Sequence, residues 1–315
     1  MGRYLLRRLI ALIPLVFLIA LIAFTLVRLT PGDPASVVAG PDATFEEVER
    51  IRRSMGLDEP IWFQFVAWIE RVFLHGDLGD SLVQEQPVLE MILQRAQPTL
   101  LLAAVGAFFS MLIGIPFGVI AAVKHNSWID RFLMSAAIVG LSIPNFWLGV
   151  LLVLGLAIYW PLFPPAGFEP IQEGGLSALR YLILPGIAIG ASNAAFLARM
   201  VRSSMLDVLN QDYVRTARAK GLRQRAVIYR HALRNAMIAP LTIVGLLVAN
   251  LASGTIIIEI VFNVPGVGRL LINSVGRRDY PIMQGIILIT ALIYILANLI
   301  VDLLYSVLDP RVKYE

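Results

Sequence analysis

The residues with chemistry to offer are few and widely separated. Glu259 and Asp302 are acidic residues inside long apolar stretches. A carboxylate in hydrocarbon is costly, so such a residue marks a path, a gate, a proton relay or an ion pair. Glu259 lies near one end of its stretch. It is a candidate for lining a translocation path or outer gate, or for carrying a proton; exposure at the interface or pairing with a nearby Arg is the structural alternative. Asp302 reads as an ion-pair partner or a cap for a helix end. Asn145, directly after Pro144, and Asn193 either face a polar path or hydrogen-bond between helices. His75, His125 and His231 show no metal-ligand spacing, and there are no cysteines. A disulfide, a thiolate zinc site and a Cys nucleophile are therefore excluded. Neither a G-x-x-x-x-G-K-S/T phosphate loop nor a G-x-S-x-G elbow occurs. Gly266 and Gly268 are too little for a dinucleotide fingerprint and predict a loop. The pattern predicts no covalent catalysis, no metal and no cofactor on this chain.

The richest segment is 202–235. It carries eight Lys or Arg against two Asp. Residues 211–220 contain no helix breaker, Gly221 suits a left-handed C-cap, and 223–235 resume a helical pattern. The prediction is helix, glycine turn, helix. Tyr213, Ala217 and Lys220 share a face at i, i+4 and i+7. Ala217 and Ala219 are small enough for another protein's backbone to approach. Such a projection is a handle for a cytosolic partner; a basic helix resting on anionic lipid is the alternative.

The elements that must position these residues are membrane helices. Of 315 residues, 58% are hydrophobic and only 15% charged, and mean hydropathy is +0.76. A soluble domain is ~45–50% apolar and ~25% charged, so disorder, a nucleic-acid arm and a soluble enzyme do not fit. Six segments reach the ~20 apolar residues of a span: about 9–29, 99–123, 132–159, 181–201, 237–262 and 282–305. Arg3, Arg7 and Arg8 precede the first, but its apolar run exceeds a signal peptide's, so a retained helix is expected. Five spans carry a proline: Pro14, Pro116, Pro144, Pro185 and Pro240. Pairs Gly114/Gly118 and Gly186/Gly190 predict close helix packing rather than ligand contact. With the N-terminus inside, 16 Lys or Arg fall on the inner side and four on the short outer loops, which predicts N-in and C-in. Residues 30–98 form the long outer segment; 30–97 hold 12 acidic and five basic residues, a net −7. The capping-box pattern Thr44–Glu47 opens one helix, with Glu46/Arg50 and Glu49/Arg53 as i,i+4 pairs. A second helix starts at Pro60 with Ile61, Phe65, Ile69 and Val72 on one face. A third starts at Pro87 and leads into the second span. A small helical cap is expected there, separate from a core over 99–315.

Segment 202–235 resembles the signature loop of membrane subunits of binding-protein-dependent ABC importers. That signature runs Glu-Ala-Ala, three residues, Gly, nine residues, Ile-x-Leu-Pro. The corresponding positions are Arg215-Thr216-Ala217, Gly221 and His231-Ala232-Leu233-Arg234. DYVRTARAKG (212–221) and HALRNA (231–236) are similar to the variant of the dipeptide, oligopeptide and nickel branch. RLTPGDPA (28–35), GLDEP (56–60), GDLGDS (76–81), GLSIPNFWLG (140–149), PGVG (265–268), RDYP (278–281), QG (284–285) and VDLLYSVLDPR (301–311) resemble it too. The resemblance implies an all-α type I importer fold of six transmembrane helices, and the first of two permease subunits. It implies a coupling surface at Tyr213, Arg215, Thr216, Ala217, Ala219, Lys220, Gly221, His231 and Leu233. It further implies a homologous second permease, two cytosolic ATPase subunits that hold ATP and Mg, an extracytoplasmic solute-binding protein, and a bacterial or archaeal cytoplasmic membrane. Asn145, Asn193 and Glu259 remain candidates for the translocation path. Di- and oligopeptides are the expected cargo, with nickel chelates, glutathione or sugars as alternatives in the same role. A proton-coupled transporter using Glu259 and Asp302 is the competing class, and a membrane scaffold a third.

Overall fold

The computed structural model describes the backbone of residues 2–29, 33–238, 240–241, 244 and 255–308, and the side chains within 10–25, 33–238, 240–241, 244 and 255–300. Most of the expected fifth span, 237–262, and the side chain of Asp302 lie outside the described residues. Among the described residues there is no strand, only an isolated bridge between Asp80 and Pro87. Contacts divide the chain into two compact units: chiefly Met1–Gln97 with Gly266–Ile295, and Pro98–Pro265 with Leu296–Lys313.

The first unit contains α1 (Gly2–Leu29), α2 (Pro34–Ala39), α3 (Phe45–Ser54) and α4 (Ile61–His75). It also takes the start of α5 (Val88–Val123). Thr44 caps α3 reciprocally with Glu47, as its spacing predicts. The Glu47 hydrogen bonds to Thr44 hold its carboxyl below the ordinary carboxylate value. Arg53 pairs with Glu49 at 3.8 Å, and Arg52 reaches Asp33 at 2.7 Å. Phe24 of α1 packs with Trp68 of α4 in a core shared with Val88, Ile92, Ile282 and Ile286. The motifs GDLGDS and RDYP meet here. The buried Asp279 carboxylate accepts hydrogen bonds from the Ser81 hydroxyl and the Leu82 N–H. These bonds tie the two motifs together within this unit.

The second unit contains the rest of α5, then α6 (Trp128–Ser142) and α7 (Asn145–Leu152), which continues as a π-helical stretch over Val153–Tyr159. The short α8 (Ile171–Gly174) and a 3-10 turn over Gly175–Leu179 lead into α9 (Arg180–Leu209). After them come α10 (Asp212–Ala219) and α11, which starts over Gln224–Ala226, passes a π-helical turn Val227–Ala232 and ends with Leu233–Ala236. α12 (Ile256–Val261) follows. α13 (Val267–Arg277) and the first half of α14 (Tyr280–Leu308) return to the first unit.

Three described helices are long and apolar enough to cross a membrane: Val88–Val123, Ile171–Leu209 and Tyr280–Ile300. The α6–α7 pair makes a fourth if it is one span, but it bends by 101°. The sequence predicts one kinked helix over 132–159; the structure breaks it. Proline has no N–H and drives the preceding residue out of helical geometry. Ile143 accordingly adopts φ −83° and ψ 123°, and the chain restarts at Asn145. The second span begins at Val88, not 99, because the run after Pro87 joins it without interruption. Residues 202–209 are the last turns of α9 rather than loop. Gly268 lies buried in α13, where a loop is expected from the sequence.

The glycine pairs behave as their spacing predicts. Gly106, Ser110, Gly114 and Gly118 repeat every four residues on α5; Gly186, Gly190, Ala194 and Ala198 do so on α9. A Cβ added at Gly114 would lie 2.7 Å from the Ala194 carbonyl oxygen, and one at Gly118 would lie 2.6 Å from that of Ala198. The two backbones therefore touch, which only small residues permit. Ser110 Oγ donates to the Gly106 and Gly190 carbonyls. At the other end of α6, the buried Asp130 carboxylate accepts from Arg202 Nε at 2.6 Å and from its terminal nitrogen at 2.8 Å. This bidentate pair joins α6 to α9.

Candidate functional site

The α10–α11 hairpin is built as a rooted projection. Val214 and Ala217, three residues apart, turn inward onto Val201, Met205 and Val208 of α9 and Val227 and Ala232 of α11. The opposite face is exposed: Arg215, Thr216, Arg218, Ala219 and Lys220 all meet solvent. Arg215 lies 3.7 Å from Asp212, an exposed pair that adds little stability. The helix ends at Gly221, with φ +77° and no atom within 4 Å of where a Cβ would sit. Glycine is needed here for conformation, since an L side chain in the left-handed region adds about 1–2 kcal/mol. The Leu222 N–H reaches back to the Ala217 carbonyl at 3.4 Å.

The predicted coupling residues thus divide into two groups. Arg215, Thr216, Ala219, Lys220 and Gly221 are exposed and available to a partner. Tyr213, Ala217, His231 and Leu233 hold the hairpin together. The Tyr213 hydroxyl accepts from Asn235 Nδ2 at 2.8 Å and donates to the His231 carbonyl at 3.4 Å. Leu233 packs on the same core as Val214. The reading of Ala217 as a close-approach point for another protein is corrected: it is 8% exposed and covered by this chain's own side chains. Tyr213, Ala217 and Lys220 do not form one free face, because the apolar side of α10 runs through position 217. Sequence spacing gives shared faces but not which face is occupied. Exposed Leu222 and Tyr229 extend the surface beyond the expected set.

The path candidates are not gathered into one site. Asn145 opens α7 and is half-buried. Asn193 Nδ2 donates to the Ile189 carbonyl of its own helix at 3.2 Å, which is neither cross-helix bonding nor a free polar group. Glu259 is fully buried. Its Oε1 accepts from Thr99 at 2.7 Å and from Thr255 at 2.8 Å. It therefore ties α5 to the start of α12 rather than lining an open surface of this chain. Sequence reasoning missed the Asp130–Arg202 pair. The pattern Ser127-Trp128-Ile129-Asp130 is a capping-box signal and could have drawn notice to Asp130; its distant partner has no local signature.

A sequence model of the family described as "Binding-protein-dependent transport system inner membrane component" matches residues 114–314, the hairpin included. The companion model for the N-terminal part of such components matches residues 1–103. The chain belongs to this family. This inner-membrane component is 41% identical, over 100% of both chains, to the "Probable peptide ABC transporter permease protein y4tP" of Sinorhizobium fredii. It is 42% identical, again over 100% of both, to the "Glutathione transport system permease protein GsiC" of Escherichia coli (strain K12). Among solved structures, the MetNI methionine ABC transporter in an inward-facing conformation matches with a TM-score of 0.57. That match is 18% identical and covers 70% of this chain and 96% of the other. It shows a shared fold, that of type I ABC importer permeases. A transport component of this family is the first of the three classes raised by the sequence.

Proposed function

We propose that this chain is the first permease subunit of an ATP-driven peptide importer and forms half of the translocation pathway. The observation that carries the reading is the α10–α11 hairpin: a basic, exposed helix and glycine turn rooted in the helical core through Val214 and Ala217. A motion imposed on the exposed face is carried to α9 by packed side chains. The chain lacks a phosphate loop, so the energy comes from two cytosolic ATPase subunits, which hold ATP and Mg. A homologous permease supplies the other half of the path, and an extracytoplasmic binding protein delivers cargo. The six apolar segments support six spans, and the Lys and Arg distribution supports both termini being cytosolic. The relatives named for peptide and for glutathione, itself a tripeptide, support short peptides as cargo. Glu259, Asn145 and Asn193 support the path's walls rather than a single recognition site, as suits a path for varied side chains.

The test is Gly221→Pro in the assembled transporter. Proline holds φ near −65° and cannot adopt the +77° found here. The expected result is normal membrane insertion with loss of ATP-driven peptide uptake and of ATPase co-purification. Uptake at the parent rate would overturn the coupling assignment.

A further inference from the structure

The helix α4 lies in the sequence segment expected to cap the protein in water. Its surface does not suit water. Phe65, Trp68, Ile69 and Val72 pack inward on α1 and its neighbours. Around the remaining circumference Trp62 is 64% exposed, Phe63 60%, Val66 60%, Phe73 46% and Leu74 75%. At 100° per residue, Gln64, Arg71 and His75 fall on one narrow edge. Gln64 and Arg71 line a cavity of about 600 Å³ together with Phe63, Arg52, Asp33 and Gln284, so Phe63 faces that cavity. The rest of the helix is apolar except Glu70. A helix apolar nearly all round is buried in protein or in lipid.

The depth of α4 can be read along α1. The sequence of α1 is largely apolar from Leu9 to Val27, about 29 Å at helical rise, close to the ~30 Å of a bilayer core. Its midpoint is Leu18. The Phe65 ring lies 5.7 Å from Phe17 and 5.1 Å from Phe24. Phe65 therefore sits between the midplane of α1 and a level about 9 Å outward of it. At that level the neighbours of an uncovered side chain are acyl chains. The exposed apolar surface of α1, including Phe17, Leu18, Leu21 and Ile22, adjoins it through the same contact.

We propose that α4 is a membrane-embedded, non-spanning helix. It is sunk in the leaflet that holds the C-terminal end of α1, with Trp62, Val66 and Phe73 against phospholipid acyl chains. Its 15 residues cover only about 22 Å, too short to span. Trp68 lies beside Phe24, so α4 runs outward along α1 and carries Glu70, Arg71 and His75 about 7–15 Å beyond Phe65, toward the headgroups. Hydrocarbon contact thus accounts for the aromatic content of this segment.

The absence of native cysteine makes a clean test possible. Val66→Cys, Phe73→Cys and, as an aqueous control on α3, Phe45→Cys would each carry a nitroxide in the assembled transporter in lipid vesicles. Collision with molecular oxygen is compared with collision with a water-soluble nickel chelate. The expected result is an oxygen-to-nickel ratio several-fold higher at 66 and 73 than at 45. A nickel collision rate equal to that at 45 would place α4 in water and overturn the proposal. Low collision with both probes at both positions would show a protein subunit covering the face, and would overturn it too. Two sites guard against one variant failing to fold. ATP-driven uptake is scored in the same vesicles, so the outcome for α4 is separate from that for the importer reading.

Discussion

Gly118 and Gly221 lie in neighbouring parts of the same unit, and each is required for an opposite reason. At the α5–α9 crossing there is no room: a methyl at Gly118 would lie 2.6 Å from a backbone oxygen. At the α10–α11 turn there is ample room, but the backbone stands at φ +77°. The first glycine is about distance and the second about dihedral angle. The crossing is internal and serves packing; the turn is external and, in the importer reading proposed above, meets a partner. Composition alone makes them equivalent, and only their surroundings separate the two requirements.

Substitution can break this contrast. Gly118→Val has the largest expected effect. The added atoms force the helices apart, a destabilisation of about 3 kcal/mol or more, read as a collapse in the yield of folded complex after mild detergent extraction. Gly221→Ala and Gly221→Asn sharpen the comparison. Alanine meets no atom but adds about 1–2 kcal/mol in a left-handed position, whereas asparagine tolerates that region. Both variants should extract at parent yield, with ATP-driven uptake reduced for Ala and largely kept for Asn. The smallest effect belongs to Tyr213→Phe. It removes the hydroxyl between Asn235 and the His231 carbonyl, about 1 kcal/mol or less at an exposed site. Faster hydrogen exchange over 212–219, with unchanged exchange across the α5–α9 crossing, would confirm that the hairpin yields separately from the core.

Much of this architecture is legible in the amino-acid sequence. The Thr44–Glu47 cap, the α10–Gly221 turn and the glycine pairs follow from short-range rules, since their partners lie within a few residues or repeat along one face. What is not legible has a common cause. Ser81 with Asp279, Asp130 with Arg202 and Thr99 with Glu259 are pairs separated by long stretches of chain. Glu259 stands out by its apolar surroundings, but nothing local to any of these residues names its partner. Ala217 defeats a local reading for the same reason: its periodicity is local, but the side chains of α9 and α11 that cover it are not. Pro144 signals a disturbance, and only the folded chain shows that it is a break of 101°.

The length of α9 has a mechanical consequence. It is one helix of 30 residues with Pro185 in its second turn, about 45 Å long. It is pressed against α5 from Gly186 to Ala198 and held by the hairpin below Val201. Treated as a stiff rod with its fulcrum midway along the crossing, it has arms of about 25 Å toward Leu209 and about 18 Å toward Arg180. In the importer reading, a push of the hairpin would be returned at the far end reversed in direction and reduced by roughly a third. The glycines that let the backbones touch would keep that pivot narrow.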